Sequence, residues 1–271
     1  MTPAAAEAAD LAWLRRIEAQ LHAALAEGAV PHDVAGFRIY LWRTPDPFYR
    51  NVALPRHAPI SWATAIRDLR AAFARHQRRA RVELFAELWP DLAAALQEAG
   101  FAIEAQAPVM ASPSAPPEVA AAVLPVLRLE GTTPRPMLQA CLESAAATFH
   151  EPSAMLAPGE LERLQESLAG GSLRSLAALD QGRPVAGASL AGCGPVAELL
   201  GVWTAAGHRR RGLARALCSR LLHEFFQGGG ELAWLAAGSR EGLAAYRQLG
   251  FRTCGTQLDF ADDPAAATAP A

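Results

Sequence analysis

The chain has 271 residues, of which 51% are hydrophobic and 19% charged, which excludes disordered and fibrous classes and allows one large or two small domains. Its 25 basic and 27 acidic residues nearly cancel, so no global field recruits nucleic acid or an anionic membrane. Cys141, Cys193, Cys218 and Cys254 lie far apart without a C-x-x-C pair, which argues against a metal site or a disulfide framework and fits a reducing compartment. No apolar run reaches the roughly 18 residues a membrane span needs, and the first residues lack the basic and apolar regions of a signal peptide. A cytoplasmic protein is expected.

In chain order, Leu11, Leu14, Ile17, Leu21 and Leu25 recur at helical spacing, which predicts a helix over 8–27, closed by Gly28 and Pro31. The runs FRIYLW and YRNVAL between Gly36 and Leu54 read as two strands around a turn at Thr44-Pro45-Asp46-Pro47. Ser61 can cap a helix carrying Ile66, Leu69 and Phe73, and Arg78-Arg79-Ala80-Arg81 gives its end favourable charge. A strand over 81–87, a helix over 91–99 and a strand over 101–110 follow.

The proline-rich stretch over 113–124 is the best linker candidate. Beyond it a strand at 126–129 and helices at 137–149 and 160–168 precede a hairpin, 173–179 with 185–192, turning at Asp180-Gln181-Gly182-Arg183. Gly192-Cys193-Gly194 lacks the third glycine and following helix of a dinucleotide fingerprint and reads as a turn. The apolar run from Ala197 then enters a loop, Arg209-Arg210-Arg211-Gly212-Leu213-Ala214. A helix with Leu213, Leu217, Leu221 and Phe225 on one face follows at once. A strand at 232–237, a helix at 241–249 and a last strand to Phe260 complete the pattern. The residues from 261 to 271 have little to bury and are expected to be mobile.

A strand feeding a helix N-terminus presents unpaired N–H groups and the positive end of the helix dipole, a ready site for phosphate. Gly212 lets the backbone approach an anion closely, and the arginines add charge. Arg209, Gly212 and Ala214 match R/Q-x-x-G-x-G/A, and the stretch closely resembles motif A of the GCN5-related N-acetyltransferases (GNAT). A second signature, Tyr246-Arg247-Gln248-Leu249-Gly250-Phe251, resembles the Y-x-x-x-G-F ending of that family's next helix. Ser239, where many members have asparagine, and Thr204-Ala205-Ala206, where a proline often follows the strand, depart from the pattern.

The resemblance implies an α/β (α+β) fold built on a mixed, mostly antiparallel sheet flanked by helices, with acetyl-CoA as acyl donor. It assigns the pantetheine arm to the backbone of Val202, Trp203 and Thr204. It assigns the pyrophosphate to Arg209, Arg210, Arg211, Gly212, Leu213, Ala214 and Arg215, with Ser239 nearby. Tyr246 is then the acid that protonates the departing thiolate, its phenol lying close to a thiol in reference pKa. Glu198 matches the glutamate that some histone acetyltransferases use as base. If the strand alternates, Glu198, Leu200, Val202 and Thr204 share one face. Glu151, beside His150, is a second candidate. The plainer readings are a core tyrosine, a solvated carboxylate and a basic turn.

RVELFAELWPDLAAALQEAGF, ending at Phe101, and ELAWLAAGSREGLAAYRQLGF, ending at Phe251, repeat 150 residues apart with the same strand, helix, Gly-Phe, strand order. Leu96 then stands where the second copy has Tyr246, and no R-x-x-G-x-A precedes Phe73. The expected organisation is a degenerate, truncated GNAT-like domain over 1–112, the linker, a catalytic domain over 125–260 and the tail. The acceptor is an unidentified small-molecule amine or peptide, with neither nucleic acid nor membrane as partner. A non-catalytic acyl-CoA-binding module is the alternative.

Overall fold

The computed structural model describes residues 3–42, 51–117, 119, 122–149, 159–192, 194–238 and 240–262. The chain forms two compact units, one made of the residues up to Val109, Ala236–Gly238 and the segment from Thr253, the other of Met110–Leu235 and Ser239–Arg252.

The first unit begins with α1 (Pro3–Gly28), then β1 (Ala29–Val34), β2 (Phe37–Trp42), β3 (Val52–Pro55), α2 (Trp62–Arg75), β4 (Arg81–Phe85), α3 (Pro90–Glu98) and β5 (Phe101–Ser112). β1 is absent from the sequence reading, because AVPHDV is polar and holds Pro31. It pairs only with β2, and an edge strand is where proline is tolerated. Arg38 and Arg56 both donate to Asp33 at its end. Ser61 caps α2 as expected, its hydroxyl accepting from the Thr64 N–H at 3.4 Å. The α2 and α3 stripes, with Ile66, Leu69, Phe73, Leu92 and Leu96, close one face of the sheet.

The last strand, β11 (Arg252–Asp262), belongs mostly to this unit, lying between β4 and β5 in the strand order. Its Leu258 and Phe260 pack with Val82 and Leu84. A division at one linker cannot represent this, since the strand's apolar face fits the core built by residues far earlier in the chain. The strand also runs beyond residue 260. Ala261 is buried against its partner Arg81, and Asp262 takes a bidentate bond from Arg70, so the expected tail begins later.

The second unit holds β6 (Val126–Leu129), α4 (Arg135–Phe149), α5 (Glu160–Ala169), β7 (Leu173–Asp180), β8 (Arg183–Ala191), β9 (Val196–Thr204), α6 (Leu213–Gln227), β10 (Leu232–Ala236) and α7 (Arg240–Gln248). Its strand order is β6-β7-β8-β9-β10, antiparallel except for the β9–β10 pair. Gln181 and Gly182 both have positive φ, 48° and 77°, the geometry of the two-residue hairpin turn anticipated there.

The repeat is structural. β3 is parallel to β4 as β9 is to β10, and each copy continues through a helix, a left-handed glycine and a buried phenylalanine. Gly100 has φ 83° and Gly250 89°, while Phe101 and Phe251 are buried. The recurring Gly-Phe is therefore a helix C-cap with its hydrophobic contact. Among the described residues the first copy shows no counterpart of β6 or of one helix, the truncation expected.

Candidate active site

The site elements all lie in the second unit. Register fixes which way the β9 side chains point. Ala191 faces Glu198, Leu190 faces Leu199 and Ser189 faces Leu200, but Gly187 faces Trp203 and Ala186 faces Thr204. One β8 residue, Ala188, therefore opposes both Gly201 and Val202, a β-bulge in which Gly201 takes φ 57°. The bulge reverses the alternation. Glu198, Leu200 and Trp203 share a face, and Thr204 lies on the other, so the expected common face of Glu198, Leu200, Val202 and Thr204 does not form. A glycine inside an apolar strand is the signal that reveals this in LLGVWT.

The face with Glu198 carries Leu173 and Ala177 through the β7–β8 register, and α4 and α5 cover it with Leu138, Cys141, Leu164 and Leu168. The opposite face carries Arg174 and Leu199 and is covered by α6. There the Arg174 guanidinium stacks on the Phe225 ring, and Arg128 pairs with Glu224. β10 pairs with β9 only from Leu232↔Val196 to Trp234↔Glu198. Among the described residues β9 pairs from Leu199 onward with β8 alone, so its other edge offers backbone groups to an extended ligand.

Between β9 and α6 the chain makes a 3₁₀ turn, Ala206–His208. The His208 Nε2 lies 2.8 Å from Asp180 Oδ2, which ties the loop to the β7–β8 turn, and Arg209 Nε donates to the Thr204 carbonyl at 3.2 Å. Arg210 is held at φ 62°, a strained backbone for a non-glycine residue, and Gly212 at φ 76°. Left-handed residues next to ordinary ones make the concave N–H nests that bind anions. Gly212 is the N-cap of α6 and supplies no side-chain cap, and the first helical bond is Ala216 N–H to the Gly212 carbonyl. The N–H groups of Leu213, Ala214 and Arg215 thus have no helical acceptor.

A Cβ placed on Gly212 would meet no protein atom within 4 Å, and Arg209, Arg210, Arg211 and Arg215 are exposed around it. Open space, orphan N–H groups and exposed guanidiniums fit a pyrophosphate. Two of the named residues can contribute only backbone there. Leu213 is buried, and the buried Trp203 lies over Gly187, where a Cβ would come within 2.4 Å of the indole nitrogen. Val202 and Thr204 are half-buried. Ser239 and Glu151 lie outside the described residues.

Tyr246 sits on α7, which Arg215 ties to α6 by donating to Gln248 Oε1 at 3.2 Å. Its ring packs edge-on against Phe251. Burial and the nearby Cys218 push its phenol up to about 12, so it keeps its proton throughout the physiological range. No described residue bonds the hydroxyl. Glu198 is half-buried on the apolar face under α4, and desolvation raises its carboxyl to about 7. That value suits a group exchanging protons near neutrality. No group of metal-ligating side chains occurs among the described residues, nor is any described helix long and apolar enough to cross a membrane.

Residues 138–251 match the model of the acetyltransferase (GNAT) family, so the second unit carries a GNAT domain. A GCN5-related N-acetyltransferase from Kribbella flavida has the same architecture, with a TM-score of 0.73 over 92% of this chain and 95% of that one at 24% identity. A tandem GNAT protein from the clavulanic acid biosynthesis pathway aligns over 87% of this chain and 79% of its own with a TM-score of 0.58 and 17% identity. A GCN5-related N-acetyltransferase from Sphaerobacter thermophilus aligns over 84% and 76%, with a TM-score of 0.60 and 16% identity. No curated protein sequence matches the chain.

Proposed function

We propose that the chain transfers the acetyl group of acetyl-CoA to a primary amine by direct attack on the thioester. The observation that carries this reading is the bulged strand β9 leading into a glycine-capped helix start. It offers one strand edge to an extended arm and one N–H cradle to a pyrophosphate in the same unit as Glu198 and Tyr246.

In this reading the backbone of Val202, Trp203 and Thr204 binds the arm, and the loop from Arg209 to Arg215 binds the phosphates. Bound acetyl-CoA supplies an activated carbonyl and a thiolate leaving group. Glu198 removes a proton from the acceptor amine, because a carboxyl near pH 7 is substantially ionised at working pH yet basic enough to accept one. Tyr246 holds a proton on its hydroxyl for the departing sulfur. The bulge at Gly201 and Val202 turns the strand where the two groups must converge.

Tyr246→Phe keeps the ring against Phe251 and removes only the hydroxyl. It is expected to lower kcat by about 100-fold and leave the calorimetric Kd for acetyl-CoA within about twofold of wild type. Unchanged kcat with unchanged affinity would remove Tyr246 from the chemistry.

A further inference from the structure

On the sheet face that carries Glu198, polar side chains interrupt an otherwise apolar surface. Ser175 on β7, Ser189 on β8 and Leu200 on β9 form one row across three strands, with Ala191 and Glu198 in the next row but one on the same face. Ser189 and Glu198 are therefore diagonal neighbours, a relation that places Cβ atoms roughly 7–8 Å apart. A Cβ on Gly201 would have the Ser189 hydroxyl as its nearest neighbour, at 3.9 Å, so this serine borders the bulge.

The Ser175 and Ser189 hydroxyls are joined by a hydrogen bond. Their oxygens are 2.8 Å apart, and Ser175 Oγ also lies 3.4 Å from the Ala188 carbonyl, which can only accept. Either hydroxyl can donate across the pair, and in both arrangements the Ser189 oxygen keeps a lone pair beyond that bond. The half-buried Ser189 oxygen is left with lone pairs, and no other described residue donates to it.

We infer that Ser189, held in place by its hydrogen bond with Ser175, is the second hydrogen-bond acceptor of the amine subsite: Glu198 takes one N–H of a primary amine and Ser189 Oγ holds another. A primary amine fills both acceptors, and a secondary amine leaves one unpaired once its remaining proton is lost to Glu198. Ser189 is a positioning residue, and the assignment rests on the acyl-transfer reading above.

Steady-state kinetics test it on the full chain at pH 8, using whichever of kanamycin, spermidine, phenylalanine and a tripeptide N-terminus is turned over best. Ser189→Ala is expected to raise the amine KM by about tenfold, with kcat within about threefold and the acetyl-CoA Kd unchanged. Ser189→Thr restores the KM, and Ser175→Ala raises it by about threefold by freeing the Ser189 hydroxyl to rotate. An unchanged amine KM in Ser189→Ala overturns the assignment and leaves the transferase standing. An unaltered acetyl-CoA Kd with no amine-dependent CoA release from wild type overturns both.

Discussion

Gly212→Glu is expected to weaken acetyl-CoA binding by at least about 100-fold in a calorimetric titration. Two effects follow: a side chain at φ 76° costs roughly 1–2 kcal/mol of fold stability, and a carboxylate placed in the proposed phosphate space opposes binding. The same negative charge is favourable at a helix N-terminus, so α6 keeps its helix and the loss reports on the cradle rather than on unfolding. Gly212→Ala separates the terms, because its methyl would meet no protein atom within 4 Å. It carries the strain alone, which is the same with and without donor, so it should lower fold stability by roughly 1–2 kcal/mol and leave the acetyl-CoA Kd within about threefold. Normal affinity in Gly212→Glu would show that the cradle does not hold the donor.

Glu198→Gln is expected to lower kcat/KM at pH 8 by between about 100-fold and 10,000-fold, the range for loss of a general base. The wild-type profile should rise through a step near pH 7 that the variant lacks; titration of the amine itself is common to both and cancels in the comparison. The variant also has a stability signature. The folded carboxyl titrates at about 7, above its unfolded value near 4.5, so the folded state binds the extra proton between those values. Its contribution to stability is fully present below about pH 4.5 and is lost as pH rises through 7. Glutamine does not titrate, so relative to wild type the variant should gain up to about 3 kcal/mol by pH 8 and nothing below pH 4. A kinetic loss without the pH 7 step would make Glu198 a packing residue.

Much of this site is legible in the chain because its chemistry is local. Gly212, the arginines and the helix that begins at Leu213 are contiguous, and Tyr246-x-x-x-Gly250-Phe251 is a helix end whose glycine must adopt a left-handed backbone. The rest depends on register, which no contiguous motif states. Thr204 leaves the face of Glu198 because Gly201 and Val202 share one partner, and only Gly201 hints at this in advance. Trp203 turns inward because Gly187, 16 positions earlier, leaves room for the indole. Ser189 acquires meaning from Ser175 and Ala188 together. The fold shows the same division. The helical stripes are readable, but β1 hides behind Pro31, and β11 joins a core built by residues nearly 200 positions before it.

The repeat also accounts for a single site. In the first copy the helix start is closed by its own Ser61 hydroxyl, and the residue at the Tyr246 position is the buried Leu96. The second copy leaves the corresponding start open at Gly212. One donor site per chain follows from the proposed function, and the stoichiometry of the wild-type acetyl-CoA titration measures it directly. Saturation at one acetyl-CoA per chain is expected, abolished by Gly212→Glu and unaffected by Ser61→Ala. Two sites per chain, or one that survives Gly212→Glu and is lost with Ser61→Ala, would contradict it.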